Sequence, residues 1–125
     1  MLFDTDVIIW FFRGNTKAER LLAGERGREI SQVSWMELVQ GVRDGKELNR
    51  LRAFLTRTNF RMLPLNENIG HRAALFMEQH ALKDGLELAD ALIAATAVEY
   101  ALPLATGNAK HYRSLAGVKL QRFTP

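Results

Sequence analysis

The chain has 125 residues, a net charge of +3 and no cysteine. This length fits one domain with a sizeable core, and the lack of thiols excludes a disulfide framework, a zinc–thiolate site and a cysteine nucleophile. The positive balance favours acidic partners such as nucleic acid, and the opening residues lack a signal-peptide pattern, which points to the cytoplasm.

In chain order, Leu2–Ile9 reads as a strand, apolar except for Asp4 and Asp6. Charges in such a run need a partner or a metal. Trp10, Phe11 and Phe12 follow; like Trp35, they suit core packing or a partner surface. Ala18–Glu25 reads as a short helix, Glu29–Val33 as a strand and Ser34–Arg43 as a helix. Glu47–Thr58 carries Leu48, Leu51 and Leu55 at helical spacing. Basic residues gather around it: Arg43, Lys46, Arg50, Arg52, Arg57 and Arg61 face only Asp44 and Glu47. That cluster is either a solvated helix face or a phosphate-facing one, with Arg43, Lys46 and Arg50 as RNA-binding candidates.

Arg61–Leu65 reads as a strand and Asn66–Leu82 as a helix with Ile69, Ala73, Phe76, Met77 and His80 on one face. Leu86–Leu102 is apolar nearly all round and so should be buried. Glu87, Asp90, Glu99 and Pro103 interrupt it too often for a membrane span. Strands at Leu104–Thr106 and Val118–Arg122 complete the series. Strands alternating with helices predict an α/β fold, a parallel sheet of about five strands covered on both faces.

Sites in such sheets form at the carboxyl ends of strands. Asp4, Asp6, Glu37, Asp90, Thr106 and Asn108 can converge there. Glu37 has a second reading: with Ser34 it forms the pattern of a capping box. Asn108 likewise suits the N-cap of a short helix. Asp90, among Leu86, Ala89, Ile93 and Ala94, is too costly for a cap alone if its site is dry. A hard divalent cation would explain it, since Mg²⁺ is often held by one or two carboxylates, waters and substrate phosphates.

The stretches "LFDTDVII", "ISQVSWMELVQGV", "LADALIAATAVEYALPLATGN" and "HYRSLAGVKL", in this order, resemble the PIN-domain ribonucleases, in particular the VapC toxins of prokaryotic toxin–antitoxin pairs. The resemblance spans residues 1–125 as a single PIN domain and implies a three-layer α/β/α fold. It implies a Mg²⁺- or Mn²⁺-dependent endoribonuclease with Asp4 and Asp90 as direct ligands and Glu37 acting through water. Thr106 and Asn108 match a T-x-N element that supports the site. Asp6 takes a place usually filled by a small polar residue, which would add charge to the site. His111 stands where many members carry aspartate, and is a candidate phosphate contact or a structural residue. The resemblance also implies a homodimer and a protein antitoxin of VapB type, for which Glu47–Thr58 is the candidate groove.

Two other readings fit parts of the sequence. "DTDVI" is similar to the start of haloacid-dehalogenase-type phosphatases, with Asp4 as nucleophile; Lys110 could serve as that family's lysine, but no late acidic pair follows. The histidine at position 111 also admits an inert domain that binds RNA or a partner.

Overall fold

In the computed structural model, which describes residues 1–125, the opening strand stops after two residues. Strand β1 is Leu2–Phe3, and the chain turns at once into helix α1, Thr5–Phe12. The expected strand over Leu2–Ile9 is thus wrong beyond Phe3, and the reason is capping. Asp4 is extended, with its side chain accepting from the Thr5 amide at 2.8 Å, and Asp6 accepts from the Val7 amide at 2.8 Å. Both oxygens satisfy donors that a helix start leaves orphaned. The β-branched run Val7–Ile9 costs at most about 0.7 kcal/mol per residue in a helix, whereas burying one such side chain returns about 1.5–3 kcal/mol. Val7 and Ile8 are completely buried.

The remaining elements follow the expected order. They are α2 (Thr16–Ala23), β2 (Arg28–Ser31), α3 (Gln32–Gln40), α4 (Gly45–Arg57), β3 (Phe60–Leu63), α5 (Glu67–Asp84), α6 (Leu88–Glu99), β4 (Leu104–Thr106), α7 (Ala109–Tyr112) and β5 (Leu120–Arg122). Helix α5 ends on Gly85, whose φ of 68° is left-handed and favours glycine. No helix is long and apolar enough to cross a membrane.

All five strands are parallel, in the order β3-β2-β1-β4-β5. The chain builds outward from β1 to β3, then crosses back to lay β4 on the other side of β1. The order therefore reverses between β1 and β4, and the crevice at their carboxyl ends is the place where such sheets build sites. Asp4 leaves β1 there, and Gly107 and Asn108 leave β4 beside it. A hydrogen bond from the Asp4 amide to the Ala105 carbonyl, 2.9 Å, locks the two ends together.

Alternation in the short strands sorts the core into two layers. Leu2 and Leu104 join Ile69, Phe76, Ile93 and Ala94 under α5 and α6, whereas Phe3 and Ala105 join Val7, Ile8, Leu22 and Phe54 under α1, α2 and α4. The fold is the expected α/β/α sandwich. As predicted, α6 is buried on most sides, with Ala91 and Ile93–Ala97 nearly inaccessible.

Candidate active site

Asp4 is 5% exposed and carries three hydrogen bonds. Its Oδ1 accepts from the Thr5 amide, and its Oδ2 accepts from Thr106 Oγ1 at 2.7 Å and from the Tyr112 hydroxyl at 3.0 Å. No lysine or arginine pairs with it. Burial, with the Asp6 charge adding to it, pushes the Asp4 carboxyl up to about 6, against the pull of its three donors.

Asp90 lies in the first turn of α6, its side chain 19% exposed. Its Oδ1 is 3.3 Å from the Tyr112 hydroxyl, and its Oδ2 is 3.5 Å from His111 Nδ1. Burial raises its pKa too, opposed by His111 and by the Tyr112 hydrogen bond. Tyr112 thus joins two carboxylates from opposite ends of the chain. A tyrosine hydroxyl this deeply buried needs a partner, but nothing in "NAKHY" says which.

Asp6 has a different occupation. Its Oδ2 accepts from the Gly107 amide at 2.9 Å and from Asn108 Nδ2 at 3.4 Å, so it clamps the β4–α7 loop onto α1. Burial raises the Asp6 carboxyl, and the Gly107 and Val7 amides pull it back. A side chain at residue 107 would collide with Asp6 Oδ2, which makes this glycine a steric requirement of the clamp. Asn108 occupies the N-cap position of α7 but makes no side-chain cap bond; its amide instead donates to Thr106 Oγ1 at 2.9 Å.

The capping box expected at Ser34 and Glu37 does not form. Helix α3 begins two residues earlier, capped by Ser31, whose hydroxyl accepts from the Val33 amide at 3.1 Å. Ser34 and Glu37 are therefore free to meet α1. The Thr5 hydroxyl donates to Glu37 Oε1 at 2.7 Å and lies 2.9 Å from the buried Ser34 Oγ. Thr5 and Tyr112 are the two site residues the sequence reading missed. The signal for Thr5 was its place between two acids at a helix start, disguised by the strand-like run that follows.

Two cavities flank these acids. One, about 440 Å³, is bordered by Glu87, Asp90, Lys110, His111 and Arg113. The other, about 550 Å³, runs between α1, α3 and α4, with Ile9, Phe12, Leu38, Val42 and Leu51 below and Arg13, Arg43, Arg50 and Glu37 around it. The basic cluster seen in sequence divides. Arg43 and Arg50 border this groove, although Arg43 also pairs with Glu47 at 3.1 Å; Lys46 is exposed on α4 and does not line it. Arg52 and Arg57 instead cover Trp35 and Phe54. Of the aromatics, Trp10, Phe11 and Trp35 pack against the core, and Phe12 is the exposed one.

No three His, Asp or Glu side chains stand together as a complete metal cage. Two neighbouring carboxylates without a lysine or arginine partner are nevertheless the oxygen donor set that suits a Mg²⁺-like ion, which takes its other ligands from water and phosphate.

Comparison with known proteins places these observations in context. The family model described as "PIN domain" matches residues 1–116. The ribonuclease VapC10 of Mycobacterium tuberculosis is 37% identical over 118 residues, covering 90% of this chain and 85% of its own. A chain of a toxin–antitoxin complex from Klebsiella pneumoniae is 28% identical with a TM-score of 0.75, covering 94% of this chain and 93% of that one. FitAcB from Neisseria gonorrhoeae is also 28% identical, with a TM-score of 0.74 and coverage of 95% and 94%.

Proposed function

Because the chain belongs to the PIN-domain family, alongside the VapC ribonucleases, we propose that it is an endoribonuclease, the toxin of a toxin–antitoxin pair, using Mg²⁺ or Mn²⁺. The observation that carries this reading is the Asp4–Tyr112–Asp90 bridge at the sheet's switch point, two carboxylates held side by side with no lysine or arginine to neutralise them.

Asp4 and Asp90 would hold the cation through the lone pairs that hydrogen bonds leave free. When bound, the cation supplies charge neutralisation at the phosphate and acidifies water. Thr5 fixes Glu37 through Oε1, which leaves Oε2 to take a proton from the attacking water as its oxygen bonds to phosphorus; the bond from phosphorus to the leaving oxygen breaks, and that oxygen departs with the electron pair and takes a proton from solvent. His111, its side chain 44% exposed, sits against Asp90 and would steady it. Asp6 and Asn108 act one layer back, as the clamp on the loop that delivers Thr106. Arg13, Arg43 and Arg50 offer the backbone sequence-independent charge.

The groove between α1, α3 and α4, apolar below and basic at its rim, is the seat for an amphipathic segment of a VapB-type antitoxin, whose arrival beside Glu37 would block the site. Leu75 and Leu82, exposed and seven residues apart on α5, support a homodimer. The phosphatase alternative is set aside, because Asp4 is buried and held by three donors rather than presented as a nucleophile.

The test is RNA cleavage by the purified protein with Mg²⁺ or Mn²⁺, beside chelator and Asp90→Ala controls. Cleavage should need the cation and vanish in the variant with its fold intact. Equal activity of parent and Asp90→Ala, or none with any divalent ion, sinks the reading.

A further inference from the structure

Tyr112 is the one residue whose side chain is hydrogen-bonded to both Asp4 and Asp90. It reaches them from the end of α7, with its ring 1% exposed against the core layer of Ala91, Ala94 and Leu115. We infer that Tyr112 is a positioning residue of the cation site, its hydroxyl tethering Asp4 and Asp90 to each other and deciding which carboxylate oxygens are left for the metal. This rests on the cation reading above.

The hydrogen bonds determine the division. Each carboxylate oxygen offers about two lone-pair sites. Asp4 Oδ2 spends both, one on Thr106 and one on Tyr112. Oδ1 accepts only the Thr5 amide and keeps one. Asp90 Oδ1 likewise gives one site to Tyr112 and keeps one, while Oδ2 has only His111 near it, at 3.5 Å. The phenol has a single proton for two acceptors, so it acts as a shared bridge between like charges that otherwise repel. Removing only the oxygen leaves the ring packed and the carboxylates untethered.

Outer contacts of this kind commonly change metal affinity by about 10–100-fold. The test is Mn²⁺ binding by calorimetry on the whole chain, comparing the parent with Tyr112→Phe, Leu115→Ala and Asp90→Ala. Tyr112→Phe should raise the Kd at least about tenfold, and excess Mn²⁺ should restore its RNA cleavage. Leu115→Ala, which removes a neighbouring core side chain, should lower thermal stability without changing Kd. A Kd for Tyr112→Phe within about twofold of the parent, or an equal rise in Leu115→Ala, overturns the inference. If the parent itself binds no Mn²⁺, the cation reading falls and takes this one with it. If the parent binds and Asp90→Ala does not, the outcome for Tyr112→Phe judges the tether alone. A spectroscopic arm avoids any folding defect: in Tyr100→Phe, Tyr112 is the only tyrosine, and its near-ultraviolet band should shift as Mg²⁺ saturates. An unchanged band under saturating Mg²⁺ also overturns the inference.

Discussion

Thr106 donates its hydroxyl proton to Asp4 Oδ2 at 2.7 Å across 102 residues of sequence. Thr106 Oγ1 itself accepts from the Asn108 amide, so the turn after β4 aims the hydroxyl. Both partners are buried, and a hydrogen bond to a charged group in that setting contributes about 1.5–3 kcal/mol. Thr106→Val keeps the shape and removes the donor. We expect it to lose stability of about that size at neutral pH in urea denaturation, and RNA cleavage to fall about 10–100-fold. A variant as stable and as active as the parent would remove Thr106 from the site.

The Asp4 carboxyl fixes a pH dependence with a definite sign. Its pKa rises from about 3.8 unfolded to about 6 folded, so between these values the native state holds a proton that the unfolded state has lost. Stability of the metal-free protein therefore falls as pH rises through that window, by about 3 kcal/mol from this group, and levels above it. Asp90 and Asp6, also shifted upward, act in the same direction. Thermal melts in chelator from pH 4 to 8 should show the fall, and Asp4→Asn should make it shallower. Since a cation needs the ionised carboxylate, Mg²⁺ affinity should climb with pH up to about 6. A chelated protein that gains stability over that range contradicts the assignment.

Gly107 is testable through the partner it spares. A Cβ there meets Asp6 Oδ2, the acceptor of the residue's own amide. Gly107→Ala should destabilise by about 1–3 kcal/mol through overpacking and weaken cleavage. Asp6→Ala removes the obstacle, so the double variant should be more stable than the sum of the two losses implies. Simple additivity in denaturant titrations would show that the clamp is not where the strain arises.

The periodicity of long elements was readable because burial alone decides it. Ile69, Ala73 and Phe76 of α5 and the nearly all-apolar α6 have one sensible packing, and the structure adopts it. Asp4 and Asp90 were recognisable as acids that their apolar context left unexplained, whereas Glu37 had a ready local explanation as half of a capping box and entered the site through the family resemblance. The opening strand was misread because Val7, Ile8 and Ile9 suit a strand by local preference, while Asp4 and Asp6 capping overrides it. The Ser34–Glu37 capping box failed for a related reason: Ser31 caps first, and the helix register then turns both side chains toward Thr5. Tyr112 was invisible because its function lies in two long-range contacts, and those exist only after the sheet order is known.

Thr5 offers a sharper probe of Glu37 than Glu37 itself. Thr5→Val removes the donor at 2.7 Å from Oε1 and leaves the carboxylate in place. The exposed glutamate then samples other rotamers, which costs orientation rather than binding. The expected result is a kcat about tenfold lower with the KM for RNA and the Mg²⁺ affinity unchanged. Glu37→Gln should lose more if Glu37 has the proposed role, since the base is then lost as well. Matching losses in both variants would mean that orientation is the whole of the Glu37 contribution; no loss in Thr5→Val would mean the contact is incidental.

Two arginines two residues apart on α4 separate phosphate binding from packing. Arg50 borders the groove beside Glu37, whereas Arg52 lies over Trp35 at 5.9 Å from the ring centroid. Each phosphate contact to single-stranded nucleic acid adds about 0.7 to the slope of log affinity against log salt. Arg50→Ala should therefore weaken RNA binding at low salt and shallow that slope by about this amount, with thermal stability unchanged. Arg52→Ala should leave the slope alone and lower stability, because its guanidinium lies over an aromatic ring. The comparison is made in the Asp90→Ala background without cleavage, by fluorescence anisotropy across a salt series. Equal slopes for Arg50→Ala and the parent would move the RNA path away from the groove, toward the cavity bordered by Lys110 and Arg113.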